Sequence, residues 1–305
     1  MATKKTAQPE FVNNGNWSNA APEVPMFYKN IELKFLMPAL GTQPASKDIF
    51  KDYIASNAPD APTMEQEIEQ FGEEEVARQG ITIYPKGQFY YDEEHDRFVD
   101  IFDKNISYVV KTQEDEEIIK YHHINNPEIN GVATKTDAKV PFYYNYQIRG
   151  MFKDSCGLLT RAEKDDTQSG KLKAFKKVID GGIFVYPRRI GINLPESYLD
   201  EDGVTEISTY DENGNLRVCS RSLRTSGPTG ERVAIASSEM IPAGSTIKFT
   251  IGVCSEKFWP AVFEWLNYLS VHGLSGWRNS GLGTCVWREL DENFMPVQPK
   301  SEDAE

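Results

Sequence analysis

The sequence predicts an α+β domain. Strand-like and helix-like segments follow one another without the regular alternation of a doubly wound sheet, and no internal repeat is visible. The chain then closes on a strand, a helix, a glycine-rich segment and a last strand.

Residues 1–26 are rich in Asn, Ala, Pro and Gln without a hydrophobic period, and 291–305 are similarly polar, so both read as tails around a body at 27–290. The body opens on a strand from Tyr28 to Met37, where Ile31, Leu33 and Phe35 alternate with Glu32 and Lys34 until Pro38 stops the ladder. A short helix from Ser46 to about Ser56 follows, with Ser46 as its cap. From Asp60 to Gly80 a strong helix former carries only a thin apolar stripe (Met64, Ile68, Phe71, Val76), which suits an exposed acidic helix. Short β-like runs and the acidic turn QEDEE complete an insertion at about 60–135.

The core resumes at Val140. In PFYYNYQIRGMFKDSCGLL, Ile148, Met151, Phe152 and Cys156 recur at helical spacing and leave Arg149 and Lys153 on another face. A strand from Gly181 to Pro187 ends at Arg188 and Arg189, and two alternating strands, RVCSRSLR and ERVAIASSEM, flank the turn TSGPTG. The strand Thr246 to Val253 places Ile247, Phe249 and Ile251 on one face and Lys248 and Thr250 on the other. Ser255 is placed to cap the next helix, in which Pro260 is tolerated near the first turn. Phe258, Val262, Trp265, Leu266 and Leu269 form the core-facing stripe of that helix, and Gly273 stops it.

Composition excludes several classes. A hydrophobic fraction of 39% supports a packed core. No stretch reaches the roughly 18 apolar residues of a membrane span, and the polar start lacks a signal-peptide core, so a cytoplasmic protein without membrane partners is expected. Cys156, Cys219, Cys254 and Cys285 are widely spaced with no C-x-x-C pair, and read as reduced thiols. The net charge of -13 is unevenly spread: Asp48 to Glu117 holds nineteen acidic and six basic residues, whereas Asn145 to Ile190 holds ten basic and five acidic. The total therefore does not exclude a nucleic-acid partner.

The glycine-rich segment GLSGWRNSGLG, Gly273 to Gly283, is the most informative feature. Glycines let a loop lie against a sugar-phosphate chain and offer amide hydrogens to it. Trp277 could stack on a base, Arg278 pair with phosphate and Asn279 hydrogen-bond to either; the alternative is a turn packed on the sheet with Trp277 in the core. Gly276, Gly281 and Gly283 complete the candidate loop. A P-loop is disfavoured, because a helix precedes the glycines and a strand follows, and no cofactor is expected. The candidate surface adds Arg149, Lys153, Lys173, Lys176, Lys177, Arg188, Arg189, Arg221 and Arg224 to the loop. The carboxylates Asp92, Glu93, Glu94 and Asp96 lack spaced convergent ligands and read as solvated charge rather than a metal site.

The order strand, helix, Gly276-x-x-x-x-Gly281-Leu-Gly283, strand resembles the C-terminal signature of the RAMP superfamily, the repeat-associated RNA-binding proteins of CRISPR systems. NYQIRGMFKDSCG resembles the early helix of that family and IPAGSTIKFTIGV its penultimate strand, over about 140–290 in all. The chain also looks similar to uncharacterised proteins of prophages and mobile elements. The resemblance implies a core of ferredoxin-like or RRM-like βαββαβ units that holds single-stranded RNA, without catalysis, beside the glycine-rich loop. It further implies self-association along a strand. Guide-processing members cleave RNA without a metal and use histidine, so a metal-independent endoribonuclease with His122 or His123 is an alternative; other members cleave target RNA with a loop aspartate, here Asp48 or Asp137. The remaining alternative is a protein-binding or nucleic-acid-mimicking role through the acidic insertion.

Overall fold

The computed structural model describes residues 26–41, 43–44, 81–103, 106–113, 116–123, 130–162, 165–200, 203–227, 230–276 and 278–297. The helices expected at Ser46 to Ser56 and Asp60 to Gly80 lie outside the described residues, as does Asp48.

The first stretch holds β1 (Phe27–Phe35), β2 (Ala39–Leu40) and β3 (Gln43–Pro44). Short strands follow, β4 (Ile81–Ile83), β5 (Lys86–Gly87), β6 (Tyr90–Asp92) and β7 (Arg97–Val99), then β8 (Ile106–Gln113), β9 (Glu116–His123) and β10 (Asn130–Lys135). Next come β11 (Val140–Tyr144), helix α1 (Asn145–Ala162), helix α2 (Phe175–Gly182), β12 (Ile183–Tyr186) and β13 (Arg189–Asn193). After β14 (Ser197–Leu199) and β15 (Glu206–Ser208) a long hairpin pairs β16 (Val218–Gly227) with β17 (Gly230–Ile241). The chain ends on β18 (Thr246–Val253), helix α3 (Trp259–His272) and β19 (Cys285–Leu290).

The fold is mixed α+β. Its central antiparallel sheet runs β19-β1-β18-β13-β11-β5, with β12 also paired to β18. Alternation along β1 and β18 sends Ile31, Leu33, Phe35, Ile247, Phe249 and Ile251 to one face, where they share a core with Ile148, Met151 and Phe152 of α1 and Val262, Trp265, Leu266 and Leu269 of α3. The expected strand Thr246 to Val253 and its inward-facing set are therefore present. So is the stripe of α3, which begins at Trp259 with Pro260 in its first turn; Ser255 makes no side-chain cap and leads instead into a 3₁₀ turn at Glu256–Phe258.

The boundaries of two expected elements are corrected. Val140 to Tyr144, read as the start of the helix, is a strand, because its valine and aromatics favour the pleat while Pro141 disfavours a helix interior, and the helix begins only at Asn145. Gly181 and Gly182, read as the start of a strand, end α2, a two-turn helix made stable by burial of Ile179 rather than by propensity.

The insertion builds its own five-stranded sheet, β7-β6-β10-β9-β8, around Tyr90, Val99, Ile106, Ile119, Tyr121 and Ala133. This sheet lies against the face of the central sheet opposite α1 and α3: Lys248 pairs with Asp96 at 3.1 Å, Asn193 donates to Asp96 at 2.9 Å, and Phe98 covers Gly191. Asp92, expected to be solvated, is fully buried. Its carboxylate accepts from the Tyr121 hydroxyl at 2.6 Å, bonds His95 Nδ1 at 2.8 Å and takes the backbone amides of Glu94 and His95, so it organises the turn it occupies. The start of the expected C-terminal tail is also packed: Phe294 is buried against Leu290, with Arg97 4.0 Å above its ring.

Candidate nucleic-acid interface

The glycine-rich segment joins α3 to β19, as expected, and its glycines divide by task. Gly273, at φ 75°, ends α3 with its amide on the Leu269 carbonyl. The loop is then pinched shut by Leu274 N–H donating to the Gly283 carbonyl at 2.8 Å, while Gly283 N–H donates to Pro38 at 2.8 Å. A Cβ on Gly283 would stand 1.8 Å from the Leu274 oxygen, so this glycine serves the crossing of two backbones. Around Gly276 and Gly281, by contrast, a Cβ would meet nothing within 4 Å.

One anchor holds the loop from beneath. The Ser275 Oγ lies 2.5 Å from the Tyr143 hydroxyl at the end of β11, which is 3.0 Å from that of Tyr84. Both tyrosines are buried, and burial first of all raises their hydroxyls, keeping them neutral hydrogen-bonding groups. Ser275 sits at φ 86°, a conformation that costs a non-glycine residue about 1–3 kcal/mol and persists only where the surroundings enforce it.

Between this loop and α1 runs an open groove of about 740 Å³. Gln147, Gly150, Asp154, Gly157 and Arg161 reach it from one face of α1, at spacings of three and four residues, while Ile148, Phe152 and Cys156 face the core and Met151 lies between core and groove. Gly150 and Gly157 keep the wall low: a Cβ at the first meets nothing within 4 Å, and at the second only the Phe175 ring at 3.6 Å. Phe175 and Lys176 come from α2, and Leu274, Ser275 and Arg278 from the loop.

The charges in the groove are partly paired. Arg278 Nη1 is 2.5 Å from Asp154 Oδ2 and 2.9 Å from His272 Nε2, and the same His272 nitrogen is 3.1 Å from Asp154. Burial raises the Asp154 carboxyl, but hydrogen bonds from His272 and Arg278 outweigh it and hold the group below the usual carboxylate range. Lys153 pairs with Asp180 at 2.5 Å. Arg161 and Lys176 are exposed on the rim.

Of the residues predicted from sequence, Lys153, Lys176, Gly276, Arg278 and Gly281 thus meet at the groove or in its loop, and Lys173, Lys177 and Asn279 are exposed on adjoining segments. Arg188 is exposed beyond β12, and Arg149 is half-buried outside the groove lining with its Nε buried and unbonded. Arg189 belongs elsewhere. It grips Asp100 with two nitrogens at 2.8 and 2.5 Å and lies over Phe89, Phe102 and Phe142, fastening the inserted sheet to β13. Arg221 and Arg224 stand on β16 opposite Ala236 and Val233. Trp277 and the side chains of Arg221, Arg224 and His123 lie outside the described residues. His122 and His123 occupy successive positions of β9 in the inserted sheet, where His122 is exposed. Asp137 is exposed in the bend before β11.

Sequence reasoning missed Asp154, His272, Gln147, Arg161, Tyr143 and Ser275. The helical spacing of Gln147, Gly150, Asp154, Gly157 and Arg161 opposite the apolar stripe was an available signal; the meeting of His272 with Asp154 depends on how α3 packs on α1 and had none. Among the described residues no group of three or more His, Cys, Asp or Glu is arranged to hold a metal ion, and no helix is long and apolar enough to cross a membrane.

No family model matches the sequence, and no curated protein matches it. Among solved structures, a chain of a Type IV-B CRISPR complex is similar over 90% of this chain and 95% of that chain, with 8% sequence identity and a TM-score of 0.34.

Proposed function

We propose that this protein is a non-catalytic binder of single-stranded nucleic acid, and that the strand lies in the groove between α1 and the glycine-rich loop. The observation that carries the reading is the convergence of Lys153, Arg161, Lys176 and Arg278, from three separate segments, on one open groove. Phosphate neutralisation by such side chains supplies most of the affinity of sequence-independent binding. The low wall at Gly150 and Gly157 and the open surroundings of Gly276 leave room for a sugar-phosphate chain. Trp277, next to Arg278 in sequence, is the proposed stacking residue, and Lys173, Lys177 and Asn279 extend the surface.

RNA is preferred to DNA in this proposal, and the process is a CRISPR-like one in a phage or mobile element; both come from the resemblance to the RAMP superfamily. A ferredoxin-like core is part of the same reading. It is supported by the succession β1, α1, β12, β18, α3, β19 and by the sheet order β19-β1-β18-β12, in which the helices cover one face.

The test is an anisotropy titration of the full chain with labelled single-stranded RNA, single-stranded DNA and duplex DNA at rising salt. Binding of the single-stranded RNA that weakens linearly in log salt is expected. Absence of binding to any of the three at low salt would overturn the reading.

A further inference from the structure

The groove contains its own anion. Asp154 is the single carboxylate among the described residues that line it, and it stands 2.5 Å from Arg278, the cation contributed by the glycine-rich loop. A carboxylate and a phosphodiester both present anionic oxygens to a guanidinium, and Asp154 Oδ2 takes the Nη1 donor of Arg278 that a ligand phosphate would take. The two side chains are 41% and 32% exposed, respectively. An ion pair so open to water is weakly held. The Arg189–Asp100 pair has the same 2.5 Å separation, but with side chains 18% and 1% exposed it is locked. Exposure, not distance, makes one arginine exchangeable and the other structural.

After such an exchange the carboxylate would not be stranded. His272 Nε2 lies 3.1 Å from the same oxygen, and water reaches the group. A single phosphate would gain on Arg278 only what it displaces. A strand also brings phosphates to Lys176 and Arg161, which are exposed on the rim.

Resting on the nucleic-acid reading above, we propose that Asp154 is a built-in phosphate surrogate: single-stranded nucleic acid enters by exchanging one of its phosphates for the Asp154 carboxylate on Arg278, and this makes the groove selective for a strand over an isolated phosphate.

The experiment measures affinity for a labelled single-stranded RNA in the wild type, Asp154→Asn, Arg278→Ala and the double variant, with melting curves alongside. Asp154→Asn should bind about two- to fivefold tighter, the gain should vanish in the Arg278→Ala background, and inorganic phosphate should compete better against Asp154→Asn than against the wild type. Equal or weaker binding by Asp154→Asn, or the same gain with and without Arg278, would overturn the proposal, since the second result reflects net charge alone. Should Asp154→Asn melt far below the wild type, Asp154→Ser carries the same expectations. The two readings fail differently: if the wild type binds and Arg278→Ala weakens it but Asp154→Asn brings no gain, the exchange is wrong and the binding groove stands. If none of the chains binds, both fall.

Discussion

Arg278, in the loop after α3, donates to Asp154 of α1 across 124 residues of sequence, and His272 at the end of α3 bonds the same carboxylate. The glycine-rich loop is thereby tied to the helix that forms the opposite wall of the groove. Its position rests on three contacts of different kinds: this polar cluster, the Ser275–Tyr143 hydrogen bond, and the backbone crossing at Gly283.

The crossing predicts unequal tolerance among the loop glycines. Gly283→Ala places a methyl group against the Leu274 carbonyl at a φ of 74°, so a loss of roughly 1–3 kcal/mol or more is expected. Gly276→Ala meets open space and should change stability by about 0.5 kcal/mol or less. Chemical denaturation of the two variants makes the comparison, and equal losses would place the backbone crossing in doubt.

Arg189→Ala leaves the Asp100 carboxylate, 1% exposed, without its charge partner, and removes the guanidinium from the Phe89, Phe102 and Phe142 rings. Breaking a buried pair from one side costs about 3–5 kcal/mol. Lysine cannot supply the two-pronged grip, so Arg189→Lys should rescue little. Hydrogen exchange should show the loss concentrated in β6 to β10, while affinity for single-stranded RNA in the folded fraction stays unchanged. A selective loss of affinity at unchanged stability would return Arg189 to the binding surface.

These two cases mark how far the sequence could be read. Period-two alternation in β1 and β18 and the helical stripe of α3 are local signals, and the central elements with their inward faces follow from them. The glycine-rich loop is legible too, because Gly273 and the flanking periodicities bracket it. In sequence Arg189 looks like a ligand-binding residue, because a basic pair after a strand gives no sign of the partner that α+β packing brings to it, here Asp100 from an insertion 89 residues away. Asp92 looks solvated in sequence for the same reason: four acidic residues within five positions look alike until Tyr121, on a neighbouring part of the sheet, buries one of them. Burial of charge is decided by tertiary contacts, and composition does not record them.

The Asp154 cluster also predicts a direction for acid sensitivity. Its carboxyl is held below the usual range when folded, so the pair contributes stability fully above the unfolded value, about 3.9, and loses it as pH falls through the lowered folded value. Glu117, lowered by hydrogen bonds from Tyr90 and Lys135, adds the same sign. Wild type should therefore exceed Asp154→Asn in stability near neutrality, by less than about 1 kcal/mol for so exposed a pair, and the gap should close on acidification. A gap that widens below pH 4 would contradict the arrangement.

Burial raises the Cys285 thiol to about 12 and raises that of Cys156 as well, and neither side chain is accessible in the folded protein. Thiolate is the reacting species, so both should resist alkylation near pH 8 and react on unfolding. Mass spectrometry of iodoacetamide-treated native protein should find label only at Cys219 and Cys254, which are half-buried. Early labelling of Cys285 would mean that β19 opens from the edge of the central sheet.

The rim cations separate a phosphate groove from a general basic patch. Lys176 and Arg161 line the groove, whereas Lys177, next in sequence to Lys176, is exposed but does not. A cation that neutralises a phosphate contributes about one unit to the slope of log affinity against log salt. Lys176→Ala and Arg161→Ala should each weaken single-stranded RNA binding at low salt and flatten that slope by about one, and Lys177→Ala should flatten it less. Equal slopes for Lys176→Ala and Lys177→Ala would show that the strand follows charge alone, without entering the groove.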